Sequence, residues 1–387
     1  MRSLELFSGA GGLALGLEKA GFESVGLFER NEDACATLRV NRPHWNVVQG
    51  DVRDVDFTSY GPVTLVAGGP PCQPFSMGGK AQGHRDCRDM FPEAVRAVRE
   101  LRPQAFMFEN VRGLLRPAFS GYVEFIRLQL TYPEFPVSDN VDWETNYRRL
   151  ERHHTQRRGT NELVYRVTIN LANAADYGVP QHRHRVFFVG FRQDVDAGWS
   201  FPRAIHTSNE LVRAQYITNS YWSEHSMRRP RQALSSRLTN RVAKLADNEL
   251  FHLDKRWRTV RDALVGLEEP TLNAADSNHR LQPGARPYPG HTGSLIDEPA
   301  KALKAGDHGV PGGENMLRRS NGSCRYFSIR ESARVQTFPD DYRFLGSWTE
   351  AMRQLGNAVP VELARVVAAS IQSKLKAHAA ATLQPAR

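Results

Sequence analysis

The stretch that most constrains this chain stands near its start. Leu4-Glu5-Leu6-Phe7 runs straight into Ser8-Gly9-Ala10-Gly11-Gly12, and Leu13–Ala20 then shows helical spacing and stops at Gly21. An apolar run, a glycine turn and a helix in succession open a βαβ unit. Ser24–Phe28 reads as a second strand, and Glu32–Val40 as a helix stopped before Pro43. Trp45–Val48 and Val63–Ala67 read as further strands, Pro92–Leu101 as a helix and Ala105–Phe108 as a fifth strand. Val164–Asn170 and Arg185–Phe191 follow as two more. This alternation predicts an α/β domain, a mostly parallel sheet with helices on both faces. After about Asp194 the rhythm breaks. Residues 195–325 are rich in Arg, Gly, Pro, Asn and His and predict a second, smaller, irregular domain. Regular pattern returns at Ile329. Pro360–Lys376 carries Leu363, Val367, Ile371 and Leu375 on one helical face, and the tail from Ala377 is expected to fray.

The 387 residues are 40% hydrophobic and 24% charged, which excludes a disordered, collagenous or coiled-coil chain. No apolar run nears the roughly 18 residues of a membrane helix, so no membrane association is expected. The N-terminus puts an acid in its apolar run and meets glycines at once, as a first strand does and a signal peptide does not. The four cysteines, at 35, 72, 87 and 324, form no CxxC pair. That argues against zinc and disulfides and for a reducing, cytoplasmic setting. The net charge of +9 points to a polyanionic partner.

Six places carry chemistry. The Gly9-x-Gly11 turn lets a ligand approach the backbone and offers a helix N-terminus. Glu29 ends the second strand, where a carboxylate accepts from ribose hydroxyls. Together they indicate a nucleoside cofactor, and nicotinamide dinucleotide and S-adenosylmethionine both fit. Asp51, after the third strand, could accept from an adenine amino group, but taken alone it reads rather as a helix cap or turn residue. Gly68-Gly69-Pro70-Pro71-Cys72-Gln73-Pro74-Phe75-Ser76 ends the fourth strand, and a rigid Pro/Gly loop with a thiol at its tip points to a nucleophile. The alternative is a buried structural cysteine. Glu109 in Phe108-Glu109-Asn110-Val111 emerges on the same edge, as an acid for a ring nitrogen or as a helix cap. In Gln181-His182-Arg183-His184-Arg185, period-two alternation puts Gln181, Arg183 and Arg185 on one face, suited to phosphate or a carbonyl oxygen. The two histidines have no metal-ligand spacing, and no metal is expected.

These motifs occur in order with Arg330-Glu-Ser-Ala-Arg-Val-Gln-Thr-Phe-Pro339 and Gly356-Asn357-Ala358-Val359-Pro360. As a set they resemble the bacterial DNA (cytosine-5)-methyltransferase family. The resemblance implies a Rossmann-like S-adenosylmethionine-dependent domain (1–194), a target-recognition domain (195–328) and a segment bracing it before a returning helix (329–387). It implies that Phe7, Gly9, Ala10, Gly11, Gly12, Pro70, Asn357 and Ala358 line the cofactor. Glu29 would hold its ribose and Asp51 its adenine amino group, beside Arg30 and Val52. Cys72 would be the nucleophile. Glu109 would hold cytosine N3 and Arg185 its O2, with Arg183 also in the catalytic set. Gln73 and Ser76 would meet DNA. S-adenosylhomocysteine would be the product, double-stranded DNA the partner, a cognate restriction endonuclease a possible companion, and a monomer the working form, associated with the nucleoid.

Three features depart from the family. Arg30 stands where an apolar cover for adenine is common, and Ala302 where a threonine is common. Residues 132–162 are longer and more basic than the family leads one to expect. From Arg228 to Arg261 there are ten Lys or Arg against three acids. Arg228, Arg229, Arg231, Arg237 and Arg241 are the expected phosphate contacts, and Arg148, Arg149, Arg152, Arg157 and Arg158 a second candidate set. A dehydrogenase would leave Pro-Pro-Cys-Gln unexplained. No cysteine precedes Phe, which argues against the family's tRNA branch with its Cys-Phe-Thr. A non-catalytic DNA-binding relative would be expected to have lost Cys72 or Glu109.

Overall fold

The structure, a computed structural model, describes residues 1–71, 89–138, 140–156, 162–195, 198–231, 233–247, 254–289, 291–305, 315–319 and 321–382. The chain divides into two compact units: Met1–Ala172 with His184–Pro202 and Asp341–Arg387, and Asn173–Arg183 with Arg203–Asp340.

In the first unit, β1 (Arg2–Leu6) passes through the glycine turn into α1 (Gly12–Lys19), then β2 (Glu23–Glu29), α2 (Glu32–Asn41) and β3 (Val47–Gln49). There follow β4 (Leu65–Gly68), α3 (Phe91–Leu101), β5 (Ala105–Val111), α4 (Ser120–Thr131), α5 (Trp143–Gln156), β6 (Tyr165–Asn173) and β7 (His184–Arg192). The seven strands form one sheet in the order β3-β2-β1-β4-β5-β7-β6. β1 to β5 pair in parallel, and β7 runs antiparallel to β5. This is the mostly parallel α/β sheet the alternation predicts. Its central strands are apolar on both faces because helices cover both: Leu65, Val66, Ala67, Phe106 and Phe108 are all fully buried.

Two boundaries differ from expectation in ways that matter. β3 starts at Val47, because Trp45 turns away into the core and is 7% exposed. β5 runs on to Val111, so Glu109 and Asn110 are strand residues and cap no helix.

The second unit is built of short elements. They are β8 (His206–Thr207), α6 (Ser208–Tyr216), α7 (Ser220–Glu224), α8 (Ser236–Ala246), β9 (Lys255–Arg256), α9 (Val260–Leu264), β10 (Ser294–Leu295), β11 (Met316–Arg318), β12 (Cys324–Tyr326) and α10 (Ile329–Val335). Leu303, Leu317, Phe327 and Val335 form one of its small cores. The Arg-Glu-Ser motif has a structural reason. Glu331 closes a capping box with Ser328 at the start of α10, and its carboxylate takes Arg325 at 2.6 and 2.7 Å.

The chain then returns to the first unit as α11 (Trp348–Asn357) and α12 (Val361–Thr382). α12 lies so close along α1 that a Cβ on Gly16 would stand 2.4 Å from Ala364 Cβ. The helix stays regular to Thr382 and does not fray at Ala377, because the alanine-rich stretch there is a strong helix former. Among the described residues no helix is long and apolar enough to cross a membrane.

Candidate active site

In an open parallel sheet, loops at the carboxyl ends of the strands collect functional groups. β1 ends in a turn in which Phe7, Gly9 and Gly11 have φ of 58°, 51° and 83°. Glycine takes such values without a Cβ penalty. A Cβ on Gly9 would meet nothing within 4 Å, whereas one on Gly11 would stand 2.7 Å from Leu38 and 3.3 Å from Trp45. The turn is therefore open on one side and packed on the other. Ala10 and Gly12 are buried, and the first turn of α1 carries no acid, so its positive end is uncompensated within the helix.

Glu29 closes the open side. Its Oε2 accepts from Gly9 N at 2.8 Å and its Oε1 from Asn31 N at 2.7 Å. Two backbone donors fix the carboxylate and leave lone pairs for hydroxyl donors. Glu5, on β1, is 2% exposed, and its Oε2 has no hydrogen-bond partner among the described residues. Burial, and then the charge of Glu29, push its pKa well above 4.5. Sequence reasoning passed over Glu5 as a site residue, although an acid between Leu4 and Leu6 was the signal.

Asp51 follows β3 and caps the short turn Val52–Asp54. Arg53 grips it with Nε at 2.9 Å from Oδ1 and Nη2 at 2.6 Å from Oδ2, and Arg30 lies at 3.8 Å. The Arg53 hydrogen bonds hold the Asp51 pKa down at about 2. Val52 is buried beside it, and Arg30 projects into solvent.

A second group gathers where β4, β5 and β7 meet. Asn110 Nδ2 donates to the buried carbonyl of Pro70 at 3.0 Å. A Cβ on Gly69 would lie 3.4 Å from Glu109 Oε2, so the carboxylate faces the backbone leading out of β4. Glu109 Oε1 meets Arg185 Nε in a buried ion pair, with the side chains 9% and 12% exposed. The antiparallel register makes this possible by setting Arg185 opposite Val111. Burial lowers the Arg185 pKa and Glu109 opposes that shift. Cys72, Gln73 and Ser76 lie outside the described residues, as does Cys87. Cys35 is fully buried on α2, and burial pushes its thiol up to about 11, which disqualifies it as a nucleophile.

The sequence profile of the C-5 cytosine-specific DNA methylases matches residues 1–373. The chain belongs to this family. It is 34% identical over 386 residues to the Type II methyltransferase M.NgoMIV of Neisseria gonorrhoeae, covering 97% of this chain and 98% of that protein. It is 33% identical to the Type II methyltransferase M.Eco47II of Escherichia coli, covering 95% of this chain and 78% of that protein. The solved structure of the S. pombe Dnmt2 methyltransferase shares the fold at a TM-score of 0.56 and 18% identity, over 97% of this chain and 99% of that one.

The remaining motif residues of this methylase fall in different places. Asn357 is exposed at the end of α11, and Ala358 caps that helix. Arg353, one turn earlier, feels the charges of Glu29 and Asp33, which puts this end of α11 near the end of β2. Gln181 and Arg183 belong to the second unit and are 0% and 1% exposed. Gln181 accepts from Leu303 N at 3.0 Å and donates to Gln336 at 3.1 Å, and Arg183 donates to Leu303 O at 2.9 Å. Of the three alternating residues, Arg185 pairs with Glu109. The other two hold the backbone at Leu303, just past Ala302.

The basic cluster also divides. Arg228, Arg231 and Arg237 are exposed and make no ion pair among the described residues. Arg229 lies over the Tyr216 ring at 5.0 Å, and Arg241 ties α8 to α6 through Ser208 at 2.7 Å and Asn209 at 2.6 Å. In the second set, Arg149 bonds Asn146 at 3.1 Å, and Arg157 and Arg158 lie outside the described residues.

Proposed function

We propose that this methylase transfers a methyl group from S-adenosylmethionine to C5 of a cytosine flipped out of a specific double-stranded DNA site, through a covalent bond between Cys72 and C6. The observation that carries the reading is the buried Glu109–Arg185 pair beside Gly69 and Pro70, on the strand end that leads to Cys72. An acid held by a cation, beside the backbone that runs on to the Cys72 thiol, suits addition to a ring whose nitrogen must gain a proton.

The open turn fits the cofactor. Gly9 leaves free the space that any Cβ would fill, the α1 N-terminus favours a carboxylate, and Glu29 awaits ribose hydroxyls. Phe7, Ala10, Gly11, Gly12, Pro70, Asn357 and Ala358 would line the rest. Asp51 would accept from the adenine amino group with the lone pairs Arg53 leaves, beside Val52 and Arg30. When bound, S-adenosylmethionine supplies the sulfonium methyl to C5 and leaves as S-adenosylhomocysteine.

The chain's own residues do the rest. Cys72 adds as thiolate to C6, which breaks the ring's aromaticity and makes C5 an enamine-like carbon. Glu109 donates at N3, so the charge that arrives with sulfur is neutralised there. Arg185 keeps Glu109 oriented and faces the O2 side. Loss of the C5 proton to solvent water then lets the thiolate leave, and return of the N3 proton to the Glu109 carboxylate restores the neutral ring and the acid. Extrusion of the base costs a few kcal/mol, and Gln73, Ser76 and the basic second unit would hold the opened duplex. Arg183 would join the catalytic set, and its bond to Leu303 O braces it. The Type II relatives favour a modification enzyme paired with a restriction endonuclease.

Incubation with tritiated cofactor and either plasmid DNA or tRNA tests this reading. Label on DNA, mapped by bisulfite sequencing to C5 of one cytosine in a fixed sequence, is the expected result. Label on tRNA alone would refute it.

A further inference from the structure

The glycine turn has a support from the far end of the chain. Tyr342 is fully buried, and its hydroxyl donates to the carbonyl oxygen of Ala10 at 2.8 Å. The same peptide unit is held from its other side, where Gly11 N donates to Ser8 O at 2.9 Å. A Cβ on Gly11 would stand 2.9 Å from the Tyr342 oxygen, so the phenol forms part of the floor of the turn.

The hydrogen bond matters because of what the turn is made of. A peptide unit followed by glycine can turn over at little cost, since glycine accepts positive and negative φ alike. Turned over, the Ala10–Gly11 unit would aim its C=O at Ser8 O and its N–H at the Tyr342 hydroxyl, which breaks both bonds and changes the shape of the turn that the cofactor meets. Ser8 O and the Tyr342 hydroxyl both oppose that. Burial keeps the phenol protonated, so it remains a donor at any working pH.

Tyr342 is itself pinned. The backbone of its neighbour Arg343 exchanges two hydrogen bonds with the Asn41 side chain, at 2.7 and 2.6 Å, and Leu345 N donates to Thr37 at 3.0 Å. These contacts dock the segment on α2, which leaves the hydroxyl little freedom to move from Ala10.

We propose that Tyr342 is a positioning residue for S-adenosylmethionine: its hydroxyl selects the peptide orientation of the glycine turn that accepts the cofactor. The inference rests on the cofactor reading given above. Tyr342→Phe removes one oxygen and keeps the ring. It should raise the calorimetric Kd for S-adenosylmethionine by about five- to tenfold, the size of one lost hydrogen bond. KM for the cofactor should rise likewise, with kcat at saturating cofactor and KM for DNA unchanged. Amide hydrogen exchange should quicken in the segment spanning the turn and not elsewhere.

An unchanged Kd in Tyr342→Phe would overturn the inference, as would exchange that quickens uniformly along the chain. Glu29→Ala is measured alongside. If it loses cofactor affinity while Tyr342→Phe does not, the role of Tyr342 fails and the cofactor site stands. If neither variant loses affinity, the cofactor site itself is misplaced, and the inference falls with it.

Discussion

Replacing Arg185 by Met isolates the pair on which the chemistry rests. The substitution keeps much of the side chain's bulk and removes its charge, leaving Glu109 facing an apolar group. Both partners are nearly closed to water, with side-chain exposures of 12% and 9%, so screening by solvent is slight. Removing one member of a buried pair costs about 3–5 kcal/mol, because the survivor is left uncompensated. At about 2.1 cal/mol/K of unfolding entropy per residue, a chain of 387 residues shifts its melting temperature by only about 1.2 °C per kcal/mol, so Arg185→Met should melt roughly 4–6 °C lower. The double variant Arg185→Met/Glu109→Leu removes the stranded carboxylate as well and should recover much of that loss. Differential scanning fluorimetry on the three proteins reads the stability, and tritium transfer to DNA reads the chemistry. Both variants should be inactive, so stability and activity part company in the double. A single variant that melts within about 1 °C of wild type, under one kcal/mol, would refute the idea that the pair is buried and coupled. So would a double variant no more stable than the single.

Three further outcomes follow from the same geometry. Glu29→Ala should weaken S-adenosylmethionine binding at least about tenfold in a calorimetric titration with DNA affinity kept, since charge-assisted bonds are worth roughly 1.5–3 kcal/mol; equal cofactor affinity would count against its role. Glu5→Gln should stabilise the protein at neutral pH. The raised pKa means that the folded chain holds a proton that the unfolded chain has released, so wild-type stability falls as pH rises above 4.5, and melting curves of variant and wild type should converge near that pH and separate above it. Curves parallel from acid to neutral would contradict this. Charge reversal at Arg228 and Arg231 should flatten the dependence of log DNA affinity on log salt, whereas Arg241, bonded to Ser208 and Asn209, should act mainly through stability; an unchanged slope would place the first two in solvent.

How much of this was legible in the sequence follows from where the information lies. The strand–turn–helix rhythm is local, written in apolar runs and glycines, and β1 to β7 could be read from it. The reach of β5 to Val111 was not, because the polar pair Glu109-Asn110 breaks the apolar pattern, and only the antiparallel β7 beside it shows why the strand continues. α5 escaped notice because it is mostly polar, with Asn146 and Leu150 its buried residues. The short helices of the second unit bury narrow faces and leave little period to detect.

The site divides along the same line. Glu29, Asp51, Glu109 and Arg185 each end or flank a strand and could be placed by position. That Gln181 and Arg183 bond to Leu303 depends on contacts between segments far apart in the chain, whereas the grip of Arg53 on Asp51 is local and set by side-chain rotamers that periodicity does not reveal. Period-two alternation put Arg183 and Arg185 on one face, but β7 begins only at His184, so the alternation does not extend to Arg183. Tyr342 has no local signal at all. Its partner, Ala10, is more than three hundred residues away.

The central claim is that Cys72 bonds to the target base, and trapping on fluorinated DNA tests it most directly. In a duplex carrying 5-fluorocytosine at the methylated position, C5 has no proton to lose after methyl transfer, so elimination of the thiolate is blocked. Wild type and the Cys35→Ala, Cys87→Ala and Cys324→Ala variants should each give a protein–DNA adduct that survives denaturation. Cys72→Ala should bind the duplex, transfer no methyl group and leave no adduct, since a methyl side chain cannot replace a thiolate. A denaturation-resistant adduct formed by Cys72→Ala would contradict the account.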